Sequence, residues 1–139
     1  MTNASEIKKT AAQYIKEGIY SKGFQTLLQL ETEQFVSVVI NEKLVQKEEV
    51  ADFFWRDFVL NESIFTELFN SKESLQLLNI YFSVYKKPNE VFLKKLSQRF
   101  PDTLISALRL NSVFLIPEFK AALLELDFEN NTHRQNQNL

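Results

Sequence analysis

Two glycines and three prolines are all the punctuation in a chain of 139 residues, while thirteen phenylalanines supply its bulk. Such a chain has few points at which a helix must break and ample aromatic material for a core. The expected fold is therefore all-α. It is a single compact domain of about seven to eight short-to-medium helices, arranged as an irregular helix bundle or a short α–α (HEAT-like) solenoid. At this length a domain buries roughly 70% of the surface its unfolded chain exposes, so no metal or disulfide staple is required.

Apolar spacing places the helices. Ile7, Ala11, Tyr14 and Ile15 fall on one side of a first segment, Gly18 and Gly23 bracket a connector at 20–22, and a second helix starts near Ser21 and carries Phe24, Leu27 and Leu28. The β-branched run 34–40 suits a buried strand by propensity. A lone strand would leave its backbone unpaired, so helix is expected there, with Thr32 as its cap. A longer helix over 47–60 carries Val50, Phe53, Phe54 and Phe58 on its inward face. Asn61 and Ser71 offer caps for the next two. The second of these is apolar on two faces (Leu75, Leu78, Phe82 and Tyr85; Leu77, Ile80, Tyr81 and Val84) and should lie centrally. Pro88 stops it, Asn89 restarts the chain, and Pro101 and Pro117 each open a further helix. The domain is expected to end at 128, followed by a flexible polar tail over 129–139. Phe24, Phe65 and Phe92 each precede a turn and a second apolar helix, an echo that suggests repeats, although the intervals are unequal.

The inventory is poor in reactive groups. There is no cysteine, hence no disulfide or thiolate chemistry, and the single histidine, His133, falls in the polar tail. Two glycines cannot build a phosphate-cradling loop. Glu48, Glu49 and Asp52 lie within little more than one turn, but acids early in a helix complement its dipole without binding a metal. No enzyme activity, cofactor or metal is expected. No apolar run approaches the roughly 20 residues that span a bilayer, and the first residues lack an apolar signal core, so a soluble, cytoplasmic protein is expected.

Charge is distributed unevenly. Residues 31–73 hold ten acids and four bases, whereas 74–112 hold six bases and two acids. Two surfaces of opposite sign follow if folding does not interleave them. The acidic stretch adjoins Phe53-Phe54-Trp55. Three successive aromatics cannot all face one core on a helix of 3.6 residues per turn, and Trp55 falls to the side, near Asp52 and Arg56. Left exposed among acids it would anchor a protein partner; covered by another helix it would be core. The expectation is a non-enzymatic protein-interaction module, an inhibitor, immunity/antitoxin-like or adaptor protein. Its contact residues are Glu48, Glu49, Asp52, Trp55 and Arg56, and its partner is another, possibly basic, protein. The alternative is a nucleic-acid-binding regulator that uses Lys86, Lys87, Lys94, Lys95 and Arg99, a weaker reading for a chain of pI ≈ 5.5.

Overall fold

The computed structural model describes residues 3–125, and among these every regular element is helical. The expected domain end at 128, the tail and His133 lie outside the described residues. In chain order the elements are α1 (Ala4–Lys16), α2 (Tyr20–Leu27), α3 (Thr32–Asn41), α4 (Glu48–Phe53), α5 (Glu62–Phe69), α6 (Ser74–Ile80), α7 (Glu90–Arg99), α8 (Pro101–Leu110) and α9 (Pro117–Glu125). Two of them do not simply end. Helix α4 widens into a π-helical turn at Phe54–Phe58, and α6 into another at Tyr81–Tyr85; a 3-10 turn, Val113–Leu115, links α8 to α9.

Many boundaries follow from local chemistry. Asn3 caps α1 by accepting from the Glu6 amide at 2.8 Å. The Asn61 side chain accepts from the Ser63 and Ile64 amides at 3.1 and 3.3 Å, and Asn89 accepts from the Phe92 amide at 3.2 Å. Pro101 and Pro117 occupy first helical positions, where their missing N–H costs nothing. The β-branched 34–40 run is helical, with Phe35, Val36, Val38 and Val39 buried, so packing overrides its strand propensity.

Other boundaries differ from expectation. Thr32 lies inside α3, whose cap position is Glu31. Ser71 does not start α6; its hydroxyl donates to the Leu68 carbonyl at 2.7 Å and closes α5 instead. The α6 helix ends before Pro88, at Lys86, whose left-handed backbone (φ 57°) breaks the turn. Gly18 does punctuate the chain, with φ +86° after α1. Gly23 does not: it lies within α2, where α1 crosses so closely that an added Cβ would meet Ile15 Cγ1 at 2.6 Å and the Ala11 carbonyl at 3.1 Å.

Helix α6 and its π turn occupy the centre, as the two-faced pattern implied. Leu77, Leu78, Tyr81 and Phe82 are buried, α3 and α8 pack against α6, and Phe119 of α9 lies 5.4 Å from the Phe82 ring. One aromatic chain threads the molecule. Phe24 stands 4.9 Å from Phe54, Phe54 is edge-on to Trp55 at 4.8 Å, Trp55 is edge-on to Tyr81 at 4.9 Å, and Tyr81 sits 5.1 Å from Phe92. Each such pair adds about 0.5–1.5 kcal/mol beyond its area burial. The suggested repeat positions are not equivalent. Phe24 packs on the first π turn, Phe65 on Phe69 and Phe100, and Phe92 on Trp55 and Tyr81. The architecture is an irregular bundle around α6.

Candidate functional site

Some of the residues singled out in the acidic and basic stretches, Glu48 and Asp52 with Lys87, and Lys95 with Arg99 on Glu62, meet along one seam. The exposed edge of α4 and its π turn runs beside the second π turn and the connector 86–89 that leads into α7. Two hydrogen-bonded layers close the seam.

The lower layer fastens both π turns. The last carbonyls of any helix need partners from outside it. In the first π turn the Trp55 carbonyl is served by Asn89 Nδ2 at 3.0 Å. In the second, the Tyr81 hydroxyl donates to the Lys87 carbonyl and accepts from the Asn89 amide at 2.9 Å. Asn89 thus caps α7 and holds the two π turns together. Burial pushes the Tyr81 phenol well above its ordinary value, so it stays protonated and serves as a fixed hydrogen-bonding group.

The upper layer is charged. Lys87 pairs with Glu48 and lies 3.7 Å from Asp52, and Tyr85 donates to Asp52. The Glu48 hydrogen bond holds the Lys87 ammonium above its usual range. Burial, and then the Asp52 carboxylate, push the Tyr85 phenol up to about 12, with the Arg56 guanidinium acting in the opposite direction. Further along, Glu62 accepts from Lys95 at 2.6 Å and from Arg99, and these two cations hold its carboxyl below the usual range. Lys95 and Arg99 also cover the Phe65 ring, at 4.5 and 5.3 Å from its centroid.

This arrangement answers the expectation of two oppositely charged surfaces. Folding interleaves part of the stretches: Glu48 and Asp52 of α4 and Glu62 of α5 are matched to Lys87, Lys95 and Arg99, 33 to 39 positions later in the chain. Lys87, Lys95 and Arg99 are engaged within the molecule, whereas Lys86 and Lys94 are exposed. Glu48 and Asp52 serve the same clasp. Glu49 turns away from them toward α2, accepting from the Tyr20 hydroxyl at 3.2 Å, so the three acids do not converge on one point. Among the described residues no group of three histidine, cysteine or acidic side chains is arranged to hold a metal ion.

Trp55 requires a correction. It is fully buried against Phe54, Tyr81 and Phe92 and cannot be a surface anchor in this fold. Phe54 and Trp55 both face inward, and Phe53 is the half-buried member of the triplet. The cause is tertiary. Tyr81 of the second π turn and Phe92 of α7 cover Trp55 on a flank that faces sideways in a helix considered alone. The indole N–H is buried without a hydrogen-bond partner, a cost that the surrounding aromatic packing offsets.

Large apolar side chains are exposed elsewhere. Leu110, Phe114 and Leu115, at the corner where α8 passes through the 3-10 turn into α9, retain 65%, 43% and 82% of their accessible surface. Sequence patterning had not singled out this corner. Spacing offered a signal at Leu110 alone, which falls off the Leu104–Leu108 stripe on which α8 packs; Leu115, seven positions after Leu108, continues that stripe in sequence and is exposed because α8 ends at Leu110. Near the seam, Arg56, Leu60, Pro88, Asn89, Glu90 and Val91 line an open depression of about 400 Å³. No helix among the described residues is long and apolar enough to cross a membrane. No protein-family model, curated protein or solved structure matches the chain.

Proposed function

We propose that this chain is a non-enzymatic, cytoplasmic protein-interaction module, of the inhibitor, immunity/antitoxin-like or adaptor kind, and that its principal contact is the α8–α9 corner. The observation that carries the reading is the exposure of Leu110, Phe114 and Leu115 within six residues. Apolar side chains scattered singly over a surface need no explanation, but a leucine–phenylalanine–leucine cluster at a helix corner is a feature of protein-binding surfaces. An aromatic flanked by aliphatics is also the composition from which binding hot spots are built. The acidic edge of α4 is secondary in this reading. Glu48 and Asp52 are held by Lys87 and Tyr85, so a basic partner would have to compete with contacts that already exist. The basic segment is engaged in the same way at Lys87, Lys95 and Arg99, and no observation favours nucleic acid over protein.

The test is affinity capture from the source cell with the wild-type chain and with Leu110→Asp/Leu115→Asp, followed by direct titration of the captured protein. Both leucines are exposed, so the variant should retain wild-type helicity and melting. It should lose the captured partner, and Glu48→Lys should weaken capture far less. Equal affinity of the corner variant and the wild type would refute the assignment.

A further inference from the structure

We draw no further inference here: the strongest candidate, the open depression lined by Arg56, Leu60, Pro88, Asn89, Glu90 and Val91 between the first π turn and the start of α7, has apolar walls and one charge of each sign, but nothing in the structure shows what covers it.

Discussion

Replacing Asn89 tests the central packing argument, because this side chain has two separable roles. Its Oδ1 caps α7 through the Phe92 amide, and its Nδ2 serves the carbonyl of Trp55 across the seam. Loss of an N-cap costs about 1 kcal/mol. Leaving a carbonyl without a donor costs about 1–3 kcal/mol, and the lower end applies here because the bond is only part-buried. Asn89→Ala should therefore destabilise the chain by about 2 kcal/mol, a large share of the roughly 5–15 kcal/mol typical of a domain. Asn89→Asp separates the roles. A carboxylate still caps and is favoured at the positive end of α7, but it cannot donate to Trp55 and sets an oxygen against an oxygen. It should cost about 1 kcal/mol or more despite the intact cap. Urea unfolding followed by tryptophan fluorescence is the natural assay, since Trp55 is the sole tryptophan and lies at the tethered position. Far-UV circular dichroism should give the same midpoint, with an unchanged dependence on denaturant. Wild-type stability in Asn89→Asp would show that the bond to Trp55 contributes nothing and that Asn89 is only a cap.

Gly23→Ala should lower the melting temperature although alanine is the better helix former. Its Cβ would meet Ile15 at 2.6 Å, and overpacking of about 1–3 kcal/mol outweighs a propensity gain of about 1 kcal/mol. Gly18→Ala should also destabilise, by about 1–2 kcal/mol, but through its left-handed backbone, since no atom lies within 4 Å of the added carbon. The Glu62 carboxyl is lowered in the folded state, so the stability it contributes is complete above the ordinary carboxylate range. That contribution is lost as pH falls through its depressed folded value. Melts of wild type and Glu62→Gln should accordingly differ at neutral pH and converge in acid; a constant difference would contradict the assignment. Tyr85 is raised to about 12, so its contribution is present below the unfolded value near 10 and is lost as pH climbs from there through 12. Absorbance titration at alkaline pH should lose a late-ionising phenol in Tyr85→Phe while that of Tyr81 remains; loss of a phenol that ionises at the ordinary value instead would contradict the Tyr85–Asp52 contact.

The helical class and much of the segmentation were legible because their causes are local. Asn61, Asn89, Pro101 and Pro117 act on neighbours within one turn, and the apolar stripes of α1, α5 and α8 repeat at helical spacing. The two-faced pattern of 75–85 likewise located the central helix. The π turns left no comparable signal: their widened bonding is read in the closure of Val59 on Phe54 and of Lys86 on Tyr81, not in residue type. Gly23 reads as punctuation in the sequence because glycine serves both turns and close helix crossings, and only the position of Ile15 distinguishes them.

Sequence alone determined that this chain is helical, that most of its phenylalanines are core, and that its reactive inventory is sparse. Those properties depend on spacing and composition, which a linear chain carries in full. Only the tertiary structure decided where Trp55 lies, that Glu48, Asp52 and Glu62 pair with Lys87, Lys95 and Arg99 along a seam, and that an exposed apolar cluster falls at Leu110–Leu115. Each of these depends on which helix covers which flank. Contacts between residues 26 to 39 positions apart set the first two, and no local period encodes them.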